Sequence, residues 1–223
     1  MSKTRFEPSH VEKSLNVWAI ILIVWSLYRA YIGTSLPVWF DEFIAKPIVF
    51  IIPIYFFIKK VEKAKFFKSL GFSSKNIIKE MLIGLIVGLV FLSILYYGYI
   101  SRGGQSLDYK KFSDVPYLLG IIFLSFATSI SEEILSRGFI LKRLFEASKN
   151  MFTSSLFASI LFFFMHIPIL FTSQSLSGIL LVRLMTIDIL LSFIISILFL
   201  LRKNITVPIF IHAFYVFILW FLI

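Results

Sequence analysis

Cysteine is absent from this chain of 223 residues, which excludes disulfides, thiolate nucleophiles and Cys-ligated metals at the outset. Charge is scarce as well: Asp, Glu, Lys and Arg make up 15% of the residues, against about 25% in an ordinary soluble domain. There is no internal repeat, no low-complexity tract and no H-E-x-x-H pattern. The first fourteen residues carry both signs of charge, and no small-residue cleavage site closes the first apolar run, so we expect no removable signal peptide.

What fills the chain instead is apolar: 59% of the residues are hydrophobic and the mean hydropathy is +0.93. A hydrocarbon core of ~30 Å is crossed by about 20 predominantly apolar residues. Seven segments approach that requirement, at about 15–33, 43–58, 77–100, 115–141, 151–171, 179–201 and 205–223. The expected fold class is all-α, a polytopic transmembrane helical bundle formed by one integral membrane domain, 1–223. Polar turns at 101–114 and 172–178 separate the third span from the fourth and the fifth from the sixth. Pro47 and Pro53 should kink the second span, and the lysine- and phenylalanine-bearing stretch 61–70 reads as an interfacial helix ended by Gly71. Gly84 and Gly88 form a G-x-x-x-G that admits a close helix neighbour.

The net charge of +10 is not a nucleic-acid signature, because the basic residues sit at the ends of apolar segments. With a cytoplasmic N-terminus, 15 of the 22 Lys and Arg residues fall in inner segments and 4 in outer ones, Lys46 counting among the outer. That asymmetry predicts an inside N-terminus and an outside C-terminus. Seven lysines between 59 and 80 mark the cytoplasmic side most strongly. Arg29, near the far end of the first span, is expected to snorkel to the interface.

Against this background Glu132, Glu133 and Arg137 stand out, because a carboxylate at mid-membrane costs about 2.5–3.5 kcal/mol on insertion scales. His166 and His212 are the two histidines embedded in spans, and Asp188 is the remaining embedded acid. At about 1.5 Å per residue, the two glutamates lie roughly 15 Å, His166 roughly 20 Å and His212 roughly 12 Å from the cytoplasmic side, in one layer. Ser125, Ser129, Glu132 and Ser136 share one helix face, as do Ser155, Ser159, Phe162 and His166. Glu133 precedes Arg137 by four residues, the favourable acid-first order, which makes Arg137 its charge partner and leaves Glu132 freer to react. Asp188 is expected to pair locally, with Ser192 or Arg183.

The series Glu132-Glu133-x-x-x-Arg137, Phe162-x-x-x-His166, and His212 after Pro208-Ile209-Phe210-Ile211 resembles that of the CAAX protease and bacteriocin-processing family, the Abi-type intramembrane glutamic endopeptidases. The resemblance covers 115–223, which would then be the motif-bearing catalytic core. It implies a catalytic set of Glu132, Glu133, His166 and His212: Glu132 as general base on a water, His166 orienting or activating that water, and His212 facing the oxyanion. Arg137 would serve structurally. The family's third motif usually reads H-x-x-x-N, and Val216 occupies its last position here.

No cofactor is expected, although one glutamate and two histidines also make a workable zinc set. The expected partners are a peptide or membrane-protein substrate and the lipid bilayer, with no nucleic acid. A non-proteolytic scaffold acting on a regulatory membrane-protein partner, or giving bacteriocin immunity, is the alternative. The location implied is the plasma membrane of a bacterium or archaeon.

Overall fold

The protein is described here by a computed structural model covering residues 9–101, 113–172 and 178–222. Most of both expected polar turns, the charges at Lys3 and Arg5, and the side chain of Arg183 lie outside the described residues. Every regular element among the described residues is helical: α1 (His10–Tyr31), α2 (38–61), α3 (Phe66–Ser69), α4 (Ile77–Ile100), α5 (Val115–Ser148), α6 (Met151–Thr172), α7 (Gly178–Arg202) and α8 (Thr206–Leu222).

Helix boundaries follow local chemistry. The Ser9 hydroxyl accepts from the Glu12 amide while the Glu12 carboxylate accepts from the Ser9 amide, a reciprocal cap that starts α1. Asp114 caps α5 by accepting from the Tyr117 amide, and Pro116 sits in the first turn, where its missing N–H is no loss. In α2 the prolines act by widening turns: the Lys46 amide bonds to the Asp41 carbonyl and the Ile52 amide to the Pro47 carbonyl, both five residues back. The chain thus stays helical through Pro47 and Pro53.

Among the described residues, five helices are long and apolar enough to cross a membrane: α1, α4, α5, α6 and α7. The two further spans expected from sequence correspond to α2 and α8. The first half of α2 carries Asp41, Glu42 and Lys46, and α8 is only 17 residues long. The interfacial helix expected over 61–70 shrinks to the single turn α3, because α2 continues to Val61 and Lys63 then takes a left-handed conformation (φ 52°).

α8 packs chiefly on α4 and α5, and α7 on α6. The glycine pair does what its spacing predicts: a Cβ on Gly84 would lie 2.6 Å from the Phe210 Cβ, and one on Gly88 would overlap the Phe214 ring. At one end of the bundle the Arg143 guanidinium donates two hydrogen bonds to Glu62, Arg202 pairs with Glu80, and the Ile205 amide donates to the Gly71 carbonyl. Segments assigned to the cytoplasmic face therefore meet. Arg29 has a protein partner at the C-terminal end of α1: Asp41 accepts from both Arg29 and the Tyr28 hydroxyl, tying α1 to α2.

Candidate active site

The two expected polar faces turn inward. Ser125, Ser129, Glu132 and Ser136 on α5, and Ser155, Ser159 and Phe162 on α6, are all buried, while His166 keeps 26% of its side-chain surface. Beyond Glu133, α5 opens into wide turns over Ile134–Leu141, where the Ser136 hydroxyl bonds back to the Glu132 carbonyl at 2.5 Å. Glu132 and Glu133 then point to different neighbours.

Glu133 is fully buried. One of its oxygens, Oε1, accepts from Arg137 Nη1 at 2.8 Å and faces His212 Nδ1 at 2.8 Å. A carboxylate held by a guanidinium can only accept, so His212 carries its proton on Nδ1 and donates to Glu133. The Arg137 guanidinium also donates to the hydroxyl (2.7 Å) and carbonyl (3.0 Å) of Ser192 on α7, and its plane covers the Phe162 ring at 4.6 Å. Arg137 thus joins α5, α6 and α7 behind the site. Phe162 in turn makes edge contacts with both imidazoles, at 4.7 Å to His166 and 5.7 Å to His212.

Glu132 is 9% exposed. Its Oε1 receives a hydrogen bond from Lys46 Nζ at 2.7 Å. Its Oε2 receives none from a described protein group, but faces His166 Nε2 at 3.6 Å and His212 Nε2 at 3.7 Å. His166 Nδ1 lies 3.1 Å from the Phe162 carbonyl, which can only accept, so this ring too is protonated at Nδ1. Both histidines therefore present Nε2 to the same carboxylate oxygen. Three side chains from three helices converge here, as the depth estimate predicted.

Two participants were not read from the sequence. Lys46, counted with the outer loop segment, is instead buried in α2 and bridges Glu42 and Glu132. Its signal was a lysine within an apolar run, four residues after Glu42 in the acid-first order. Asp188, expected to pair with Ser192 or Arg183, has its Oδ2 3.7 Å from His166 Nε2, and the buried Tyr215 hydroxyl faces it. Ser192 is taken by Arg137, which leaves Asp188 to the histidine. Val216 packs among apolar residues of α4, α7 and α8 and brings no hydrogen-bond donor.

An apolar recess bounded by Trp18, Phe50, Leu135, Ala158, Leu161 and Met165 reaches Glu132. A more open recess lies at the basic end between Glu62, Lys68 and Lys142, and none of the clustered acids and imidazoles lines it. Among the described residues, no group of three or more His, Asp and Glu side chains is arranged to hold a metal ion.

Fold and cluster together define a class: a polytopic helical membrane protein with acids and imidazoles gathered inside the bundle. Residues 114–218 match the family model described as "Type II CAAX prenyl endopeptidase Rce1-like", which supports the resemblance to the CAAX protease family carried by the motif series of this segment. The match begins at the N-cap of α5 and leaves α1 to α4 outside it. No curated protein and no solved structure matches the chain.

Proposed function

We propose that the protein is an intramembrane endopeptidase that hydrolyses a peptide bond of a membrane-anchored or lipidated peptide, using a water activated by Glu132. The observation that supports this is the convergence of Glu132 Oε2, His166 Nε2 and His212 Nε2 at 3.6 and 3.7 Å. Such gaps are too long for a direct hydrogen bond and suit a bridging water. That water donates one hydrogen to Oε2 and the other to a neutral Nε2, which turns its oxygen lone pair outward.

The water oxygen then bonds to the substrate carbonyl carbon as its proton passes to Glu132. Collapse of the tetrahedral intermediate breaks the C–N bond, and Glu132 returns the proton to the leaving amine, giving a carboxylic acid and an amine that ionise to carboxylate and ammonium. His212, when protonated at both nitrogens, donates through Nε2 to the oxyanion while Glu133 balances its charge. A donor in this position is worth about 2.7–4 kcal/mol. With Val216 in place of an amide, His212 has no neighbouring amide to share that load. No metal takes part in this scheme.

The test is purified protein in liposomes with a farnesylated peptide ending in C-a-a-X, products being read by mass spectrometry in ¹⁸O-water. We expect cleavage with one ¹⁸O in the new carboxylate, unchanged by a chelator and lost in Glu132→Ala and His166→Ala. Cleavage retained in both variants contradicts the mechanism; no cleavage by the parent protein contradicts the prenyl-peptide substrate class.

A second reading is a non-hydrolytic membrane scaffold that regulates a partner or gives bacteriocin immunity, favoured by Val216 alone. It predicts that Glu132→Ala keeps the biological phenotype.

A further inference from the structure

We infer that Lys46, which lies outside the family-matched segment, is a positioning residue for Glu132: its ammonium keeps the carboxyl ionised and holds Oε1, so that Oε2 is the oxygen presented to the imidazoles. The inference rests on the hydrolytic reading for its functional consequence, and on geometry alone for the charge pairing.

Three observations carry it. Lys46 is 5% exposed and its Nζ lies 2.7 Å from Glu132 Oε1 and 2.7 Å from Glu42 Oε2. Glu42 is itself anchored to α5, where the Thr128 hydroxyl donates to its Oε2 at 2.7 Å, and the ammonium lies 5.8 Å from the centre of the Trp25 ring on α1. The cation is thus fixed from three helices. The groups around Glu132 also divide by side, with the ammonium on Oε1 and both imidazoles on Oε2.

The chemistry needs such a group. A carboxylate buried in an apolar interior reverts to its neutral form unless an opposite charge or donor holds it, and a neutral carboxyl cannot take a proton from water. An ammonium at 2.7 Å supplies both charge and hydrogen bond. Binding at one oxygen also stops the carboxylate rotating to spend both oxygens on one partner. Lys46 stands between two wide turns of α2, which accommodate Pro47.

The full chain in liposomes is compared by infrared spectroscopy at neutral pH as the parent protein, Glu132→Gln, Lys46→Met, and the Lys46→Met/Glu132→Gln double variant. We expect no protonated-carboxyl band that depends on Glu132 in the parent, and such a band in Lys46→Met that disappears in the double variant. On the farnesylated C-a-a-X peptide, Lys46→Met should lower kcat about 10²-fold, in the range of a lost general base. KM should stay within about twofold, and Lys46→Arg should recover about tenfold by restoring the cation. A Glu132-dependent protonated band in the parent overturns the inference, as does an unchanged kcat in Lys46→Met. If Lys46→Met fails to accumulate, Lys46→Gln takes its place, and a Glu132-dependent protonated band in the parent still overturns the inference. Retained cleavage in Glu132→Gln would instead overturn the hydrolytic reading and leave the infrared result to judge the pairing.

Discussion

Glu132 and Glu133 are neighbours in sequence, and packing separates what they do. Glu133 is closed off by Arg137 and His212; Glu132 keeps one oxygen turned to the two Nε2 atoms. The consequence is a contrast in variants. Arg137→Ala leaves Glu133 buried with an uncompensated charge and removes the guanidinium's bonds to Ser192, a loss of about 3–5 kcal/mol for a broken buried pair. Glu132→Ala leaves Lys46 its second partner, Glu42. We therefore expect Arg137→Ala to unfold at markedly lower temperature in detergent and Glu132→Ala to unfold near the parent, both followed by size-exclusion after heating. Equal melting of the two would contradict this division of labour. The Glu133–Arg137 pair was legible because spacing of four on a helix fixes proximity. Its bond to His212 was not, because that depends on how α8 docks 79 residues away. The same holds for Lys46, 86 residues before Glu132.

At the scale of elements, the site depends on α8 standing close to α4. Gly84 and Gly88 allow it, since a side chain at either would meet Phe210 or Phe214. Gly88→Leu should cost about 1–3 kcal/mol through overpacking and, by shifting His212, lower hydrolysis more than it lowers folded yield. Gly98→Leu is the control, because a Cβ there meets nothing within 4 Å. Equal effects from the two substitutions would remove the close-approach account. The apolar runs expected at 77–100, 151–171, 179–201 and 205–223 were legible to within about a residue of their ends, since hydrophobic length and end charge dictate them; α1 starts earlier and α5 runs on to Ser148. α2 differs in kind. Its polar residues look like a loop in sequence, and only their partners, Arg29, Thr128 and Glu132, explain why they stay helical and buried.

Over the whole molecule, the family-matched segment supplies the two glutamates and both histidines, and the first half supplies the cation and the packing face. α1 and α2 enclose Glu132 with Trp18 and Phe50, α2 contributes Lys46, and α4 seats α8. The motif order was enough to point to a shared site because three costly polar groups fell at one depth. It could not indicate which first-half residue would answer the charge of Glu132, since that depends on how α2 docks against α5. The central claim is that this assembled site hydrolyses peptide bonds through Glu132. Its most direct test assumes no substrate: comparative peptidomics of cells carrying the parent protein or Glu132→Ala, at equal membrane levels. The account predicts a defined set of peptides, with new termini at a common site, present with the parent and absent with the variant. Identical peptidomes from the two would contradict it.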